Sequence, residues 1–276
     1  MDSNIKRFFA FGCSHVNYHY PTWADIFIED LRQRDIQGYN CGRTGSGNQL
    51  ISNRIWELHA QKNFSKEDLI VISWSSFFRE DRYHTGEGWH TPGNIFFHAM
   101  TVPMEQNKYA YRHDSQWKDI LHYLSRDCAI ITSTLEGLKN TGARVISTTM
   151  LDPYGDEALI NFSDKTKVLL DIYKPWLYPE IIPIQNYCYY EGVGEDDARP
   201  KYRTTSDPDT WIIEDHPIPL EHLDYLKNVI CKELDISLSK GAEDFANQWN
   251  RELYDNTEGY YPLKEWHPTE PNWIID

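Results

Sequence analysis

A serine and a histidine about two hundred residues apart are the pair in this chain best suited to nucleophilic catalysis. Ser14 follows a short apolar run that ends before Gly12, and His216 lies directly before Pro217. A serine hydroxyl is a weak nucleophile until a neighbouring base, often an imidazole, takes its proton. A fold that brings these two side chains together would therefore support covalent catalysis at a carbonyl carbon.

Two acidic residues, Glu214 and Asp215, precede the histidine and are candidates to orient its ring. A carboxylate beside an imidazole fixes the tautomer and stabilises the imidazolium that forms when the base takes a proton. The sequence leaves both acids open for this role. His222 is a rival base, although its position inside a predicted helix favours a packing role.

A glycine-rich loop, residues 40–48, follows the second predicted strand. Its glycines allow the backbone to approach a ligand closely and to present N–H donors. The loop lacks the lysine and the spacing of a phosphate-binding P-loop, and it does not match the dinucleotide-binding glycine pattern. A phosphate-binding loop is one interpretation, and an oxyanion-binding amide of Gly45 is the other. A nucleotide-dependent methyl- or acyltransferase is the weaker alternative.

Polar side chains also follow the most apolar predicted strand, residues 69–74, which is uncharged and rich in β-branched residues. Ser76 and Arg79 lie just beyond it and place polar donors at the same edge of the sheet. A serine at this point can equally serve as a helix N-cap.

Taken in their order along the chain, the four segments that contain Ser14, Gly45, Ser76 and His216 resemble those of the SGNH, or GDSL-type, hydrolases, which are serine esterases and lipases. The resemblance spans residues 5–235 and rests on Ser14, Gly45, Ser76 and His216. It implies that Ser14 is the nucleophile and an oxyanion donor, that Gly45 supplies a second amide, and that His216 is the base. It implies no cofactor, and by the habit of the family it suggests an ester substrate such as a carbohydrate O-acetyl group.

Three positions depart from the pattern of that family. Cys13 replaces the usual aspartate before the nucleophile, and the usual third-donor asparagine is absent, which leaves Ser76 or Arg79 in its place. Ile213 stands three residues before the histidine, where the family carries its acid. These departures keep open an alternative function: a catalytically idle structural or binding component of a larger assembly, such as a virus particle.

The composition argues against nucleic acid as a partner and for one large domain. The chain has 276 residues, and 27 Lys and Arg stand against 42 Asp and Glu, a formal net charge of −15. Such an acidic surface repels phosphate backbones. We expect no membrane partner, because no stretch approaches the about 20 apolar residues that a spanning helix needs. The lack of a signal peptide and of any CxxC pair predicts synthesis in a reducing cytoplasm.

Apolar runs of strand length alternate with amphipathic segments of helix length. Strands are predicted over residues 8–11, 39–41, 69–74 and 143–149, and helices over residues 23–34, 117–140, 220–234 and from Asn48 onward. This alternation predicts an α/β fold: a three-layer α/β/α sandwich with a mostly parallel central sheet, like that of SGNH hydrolases and flavodoxin. The active crevice of such a sheet lies at the carboxyl ends of its strands.

Residues 77–116 form a long insertion that is rich in aromatic residues and histidines. Long loops at this edge of a sheet tend to be functional, so we expect a lid or a wall of the substrate cleft. His84, His90 and His98 lie within it at spacings of six and eight residues. Those spacings fit no compact ligand motif, and we expect no metal.

We divide the chain into a hydrolase domain, residues 1–240, and an aromatic C-terminal appendage, residues 241–276. So many tryptophan and tyrosine side chains are unfavourable in water. The appendage should therefore pack on its own domain or dock on another subunit, in a homo-oligomer or in an assembly such as a virion.

Overall fold

The computed structural model describes residues 4–77, 79–91, 93–94, 120–160, 163–190, 200–204, 207–214, 216–255 and 268–274. Its strands are β1 (Arg7–Phe11), β2 (Gln37–Asn40), β3 (Asp68–Trp74), β4 (Arg82–His84), β5 (Gly88–His90), β6 (Arg144–Thr149), β7 (Lys201–Thr204) and β8 (Asp207–Ile213). Four of them form a parallel sheet in the order β2-β1-β3-β6, whereas β4–β5 and β7–β8 are antiparallel hairpins.

The helices are α1 (Trp23–Arg32), α2 (Asn48–Lys62), α3 (Ile120–Lys139), α4 (Glu157–Ile160), α5 (Asp164–Leu177), α6 (Ile184–Tyr190), α7 (Pro219–Tyr225), α8 (Cys231–Leu234) and α9 (Lys240–Tyr254). Between α7 and α8 the chain forms a π-helical turn, Leu226–Ile230, so the single late helix of the sequence prediction is interrupted. A π turn adds one residue to a helical turn, and this one contains no proline or glycine, so the sequence gives no sign of the interruption.

Helices cover both faces of the parallel sheet, as the sequence predicts. Phe8 and Ala10 of β1 pack into a core with α1, α7 and α9, and Phe9 and Phe11 pack into a second core with α2 and α3. Strands buried on both faces read as continuous apolar runs, which explains why β1 and β3 were recognisable in the sequence. The α/β class with a parallel central sheet is confirmed.

The strand order predicts a crevice at the carboxyl ends of β1 and β3. After β1 the chain crosses to β2 on one side and then to β3 on the other, and ligands bind at such a reversal of strand order. At the opposite end of the same strands, Arg7 holds the buried Asp68 carboxylate with two hydrogen bonds of 2.6 and 2.7 Å. This bidentate pair fixes the register of β1 against β3.

The sequence favours Asn48 as the cap of the second helix, but Asn48 is the first residue of that helix and the cap lies before it. Gly47, not Asn48, is the N-cap residue, and the Asn48 side chain instead exchanges two hydrogen bonds with the backbone of Ser75, of 2.7 and 3.1 Å. The Asp81 carboxylate accepts from the N–H groups of Gly47 and Leu50 at 2.7 and 2.8 Å. The cap therefore comes from a residue distant in sequence, which a local pattern cannot reveal.

The described parts of the C-terminal appendage pack on the rest of the same chain. Ala242 and Ala246 of α9 are buried in the core that contains α1. Further on, the Asn40 N–H donates to the carbonyl of Thr269 at 2.8 Å, beside the edge strand β2. The Arg54 guanidinium lies 4.4 Å from the centre of the Trp273 ring. Tyr260, Tyr261 and Trp266 lie outside the described residues.

All five cysteines are buried thiols without disulfide bonds. Across the described part of the chain, no helix combines the length and the apolar character that crossing a membrane requires.

Candidate active site

The fold brings Ser14 and His216 into contact at the crevice. The distance between Ser14 Oγ and His216 Nε2 is 2.9 Å, a normal hydrogen-bond length for a hydroxyl and an imidazole. Ser14 lies three residues after β1 and is buried, and His216 lies three residues after β8 with its side chain 24% exposed. The two residues of the predicted nucleophile–base pair are therefore neighbours in space, with the base open to solvent on one side.

A tight turn after β1 positions the serine. A Cβ atom at Gly12 would lie 2.4 Å from Val16 Cγ2 and 2.9 Å from the Ser73 carbonyl oxygen, so a larger residue does not fit there. The N–H groups of Val16 and Asn17 then donate to the Cys13 carbonyl at 2.9 and 3.1 Å. The turn directs Ser14 to the sheet edge where the crevice lies.

Among the residues that the structure describes, Glu214 is the acid that lies beside His216. Its Oε1 lies 3.4 Å from His216 Nδ1, the ring nitrogen opposite to the one that contacts the serine, and accepts the His216 backbone N–H at 2.8 Å. Glu214 is buried, which strengthens its interaction with a protonated imidazole. Asp215 lies outside the described residues, so its assignment stays a prediction.

Tyr18 contacts both the base and the acid, and the sequence analysis missed it. Its ring stacks on the His216 ring with centroids 4.1 Å apart and an interplanar angle of 20°. Its hydroxyl donates to Glu214 Oε1 at 3.3 Å. The available signal was the aromatic and histidine-rich run that directly follows Ser14 in the sequence, residues 15–20.

The glycine-rich loop lies against the turn that carries the nucleophile. The Arg43 N–H donates to the Gly12 carbonyl at 3.0 Å. Gly45 has φ +78°, and a Cβ atom there would lie 2.5 Å from the Thr91 carbonyl oxygen, so this position requires glycine. Within the described residues, neither the Ser14 nor the Gly45 backbone N–H donates a hydrogen bond, which leaves both available to a ligand.

Arg79 is a buried cation beside this loop. Its Nη1 donates to the Ser46 carbonyl at 3.0 Å, and its Nε donates to Asn94 Oδ1 at 3.1 Å. Among the described residues, no carboxylate lies within ion-pair distance of its guanidinium. Ser76 is half-buried two residues after β3. The oxyanion-donor roles of Ser76 and Arg79 stay predictions.

Cys13 stands where SGNH hydrolases usually carry an aspartate, and its contacts indicate how charge is distributed at the end of β1. Its Sγ lies 3.7 Å from His15 Nδ1 and 3.7 Å from Met150 Sδ. Complete burial by itself raises the pKa of the Cys13 thiol, but the Arg79 guanidinium, hydrogen bonds from His15 and Ser75, and His216 together hold that pKa below its ordinary value. The end of β1 is thus a place where negative charge is stabilised.

His222 is fully buried in α7, where its N–H donates to the Ile218 carbonyl at 2.9 Å. Burial, and then the nearby His15 and His216, place the pKa of His222 well below its usual range. An imidazole that stays neutral inside the core fits a packing role, as its predicted helical position suggested.

Two of the three histidines of the insertion come together on the β4–β5 hairpin. The ring centroids of His84 and His90 are 4.6 Å apart, and Glu87 lies beside them. A spacing of six residues brings the two imidazoles together because antiparallel pairing places residues six apart on one face, whereas the expectation that the chain holds no metal stays a prediction. His98 lies outside the described residues.

No model of a known protein family matches the chain, and no curated protein matches it. Similar solved structures include two variants of an acetylxylan esterase from Geobacillus stearothermophilus, each 12% identical and covering 84% of this chain and 95% of that one, with TM-scores of 0.46 and 0.45. A proposed acylhydrolase from Bacteroides fragilis is 14% identical, covers 93% of this chain and 90% of its own, and has a TM-score of 0.32. Similarity this low carries no argument about function, which depends on the site itself.

Proposed function

We propose that the protein is a serine hydrolase of the SGNH type that cleaves an ester through a covalent acyl-enzyme. The observation that carries the proposal is the 2.9 Å contact between Ser14 Oγ and His216 Nε2. Its support comes from Glu214, which lies on the far side of the imidazole, as the acid of a nucleophile–base–acid triad does.

Acylation begins when His216 Nε2 accepts the Ser14 proton as Oγ attacks the ester carbonyl carbon. The carbonyl π electrons move to oxygen, and the backbone N–H groups of Ser14 and Gly45 hold this oxyanion. The Glu214 carboxylate stabilises the imidazolium through the Nδ1 side of the ring. When the tetrahedral intermediate collapses, the ester C–O bond breaks and the leaving alcohol takes the proton from His216.

Deacylation repeats these steps with water as the nucleophile. His216 Nε2 accepts a proton from the water, whose oxygen attacks the acyl carbon on Ser14. Collapse of the second intermediate releases a carboxylic acid and returns the proton to Ser14 Oγ. The protein groups therefore supply every proton transfer, and the proposed reaction needs no cofactor.

We extend the proposal to a small acyl ester carried on a carbohydrate, such as an O-acetyl group. The support is an aromatic pair on the β4–β5 hairpin: the rings of Tyr83 and Trp89 lie 5.6 Å apart, and Tyr83 is half exposed. The Arg43 Nη2 donates to the Trp89 carbonyl at 3.0 Å, which ties the hairpin to the glycine-rich loop. Exposed aromatic faces near such a site are suited to stacking on sugar rings.

Hydrolysis of p-nitrophenyl acetate tests the proposed reaction. We expect Ser14→Ala and His216→Ala each to lower kcat/KM by roughly 1,000-fold or more, because removing one member of a triad disables the unit. Ser133→Ala, on the exposed side of α3, is the matched control and should retain full activity. Equal rates for the wild type and Ser14→Ala would favour the idle structural or binding component instead.

A further inference from the structure

The β4–β5 hairpin gathers three side chains of metal-binding type. Residues 82–84 pair with residues 88–90, and in this register His84 and His90 lie on the same face of the hairpin as diagonal neighbours. Glu87 is in the turn between the strands, where its N–H donates to the His84 carbonyl at 3.0 Å. The three residues therefore come from both strands and from the turn that joins them.

The ligand atoms are already close to the spacing that a metal ion requires. One nitrogen of each imidazole and one Glu87 carboxylate oxygen all lie within 4.8 Å of one another, and His90 Nε2 is 3.0 Å from Glu87 Oε2. Ligands of a tetrahedral ion at about 2.0–2.1 Å stand roughly 3.4 Å apart. Small side-chain rotations would bring the three atoms to that separation.

The charge and the backbone of the hairpin also suit a cation. The Glu87 carboxylate supplies a negative charge to the cluster, and Arg82, on the same face, is paired with Glu80 at 3.3 Å. Gly86 and Gly88 have φ values of +89° and +82°, so the tight turn that presents Glu87 depends on glycine.

We propose that His84, Glu87 and His90 bind one divalent transition-metal ion of the zinc type. Imidazole nitrogens select zinc, cobalt, nickel or copper over magnesium and calcium, which prefer all-oxygen sites. Three protein ligands leave the fourth tetrahedral position to water or to an incoming ligand. The three proposed ligands are different residues from Ser14 and His216, and the proposed acyl transfer does not use the metal.

Bound metal would brace the hairpin against the glycine-rich loop. Thr91, directly after β5, donates from its Oγ1 to the Thr44 carbonyl at 3.2 Å, and its carbonyl packs on Gly45. Crosslinking the two strands and the turn through one ion would reduce the freedom of this wall of the crevice.

Titration of the untagged, metal-free, full-length protein with Co²⁺ tests the proposal, because ligand-field absorption reports the coordination of cobalt directly. We expect one ion per chain, displaced by Zn²⁺, and a Zn²⁺-dependent rise in Tm. Loss of outer-shell partners alone weakens metal sites by about 10–100-fold, so His84→Ala and His90→Ala should each weaken binding at least tenfold. Glu87→Gln should weaken it as well.

His59→Gln is the matched control, since it removes one imidazole from the far end of α2 and should leave cobalt binding unchanged. The Tm of each variant without metal shows that it folds. The proposal is overturned when the wild type binds cobalt no more tightly than the His84→Ala/His90→Ala double variant, or when His59→Gln loses as much affinity as the hairpin variants. Both readouts are independent of esterase activity.

Discussion

The imidazole of His216 is held between a carboxylate and an aromatic face. Glu214 Oε1 accepts the His216 backbone N–H at 2.8 Å and the Tyr18 hydroxyl at 3.3 Å, while His216 Nδ1 lies 3.4 Å away. These contacts fix both the position of the carboxylate and the plane of the ring. At the scale of single residues, we therefore expect the charge of Glu214 and the stacking of Tyr18 on His216 to have separate effects on kcat.

Glu214→Gln removes the negative charge and preserves the size of the side chain. Without a carboxylate to orient the imidazole and stabilise the imidazolium, kcat should fall by about 100- to 10,000-fold. The measurement is kcat and KM on p-nitrophenyl acetate, with Asp215→Asn as the comparison. Full activity of Glu214→Gln together with loss of activity in Asp215→Asn would assign the acid to residue 215.

Tyr18 acts in this account as a positioning residue, and two variants separate its contacts. Tyr18→Phe keeps the stack on His216 but loses the hydrogen bond to Glu214, worth about 1 kcal/mol, so kcat should fall about fivefold with KM unchanged. Tyr18→Ala also loses the stack and should lower kcat further. The pH dependence of kcat, measured for both variants and for the wild type, would show whether the ionisation of His216 has changed. Equal activity of Tyr18→Ala and the wild type would contradict this role.

At the scale of elements, the sheet was predictable and the caps and hairpins were not. The apolar runs of β1 and β3 identify them because both faces of these strands are buried. The cap of α2 comes from Asp81, 31 residues beyond Leu50 along the chain. The β4–β5 hairpin has strands of only three residues and no regular alternation of apolar side chains to mark them.

The glycine-rich loop provides a prediction at this scale. Gly45→Ala introduces a Cβ at φ +78° and 2.5 Å from the Thr91 carbonyl, so the loop must move and its oxyanion donor with it. Loss of one such donor lowers kcat by about 100-fold or more. Gly142→Ala is the matched control, because it imposes the same strain at φ +77° with no contact closer than 3.7 Å.

Both alanine variants should lose stability in thermal unfolding, since both force alanine into the left-handed region, and Gly45→Ala should lose more because its Cβ also meets the Thr91 carbonyl. Only Gly45→Ala should lose activity. If the two variants lost activity to the same extent, backbone strain and not the position of the loop would explain the effect.

At the scale of the whole molecule, buried carboxylates should make stability depend on pH. Asp25 is buried in the first turn of α1, where its carboxylate accepts hydrogen bonds from Thr22 and Asn40. Burial raises the pKa of Asp25 to about 6, although hydrogen bonds from Asn40 and Thr22 act in the opposite direction. The pKa of the buried Asp127 is also raised to about 6, mainly by burial.

A folded-state pKa above the unfolded value means that the folded state binds more protons between the two. For Asp25 this window runs from about pH 4 to about pH 6, and its contribution to stability falls as the pH rises through it. Asp25→Asn should therefore flatten this part of the profile, by up to about 3 kcal/mol between the ends of the window. The measurement is the free energy of unfolding in urea from pH 4 to pH 7.

Asp35→Asn, at an exposed position, is the control for Asp25→Asn and should leave the profile unchanged. Hydrogen bonds lost in Asp25→Asn shift the whole profile by a constant amount, whereas the proton linkage changes its slope. The same slope in Asp25→Asn and in the wild type would show that folding does not raise the pKa of Asp25, and would contradict this prediction.

The overall architecture and the central pair were predictable, whereas the surroundings of that pair were not. Ser14 and His216 could be named because each lies in a recognisable local segment, and parallel sheets collect such segments at one edge. Tyr18 and Arg79 depend on contacts between distant parts of the chain, and residue type alone does not specify their partners. The sequence shows that Cys13 replaces an aspartate, but the effect of Arg79 on the pKa of this thiol depends on the fold, which brings the guanidinium close to it.

The most direct test of the central claim is phosphonylation of the intact protein by a fluorophosphonate, followed by mass spectrometry of its peptides. An activated serine displaces fluoride and retains the phosphonyl group, so the account predicts one label per chain on Ser14 and loss of labelling in His216→Ala. A folded wild-type protein that stays unlabelled at residue 14, or that is labelled to the same extent without the imidazole, would contradict it.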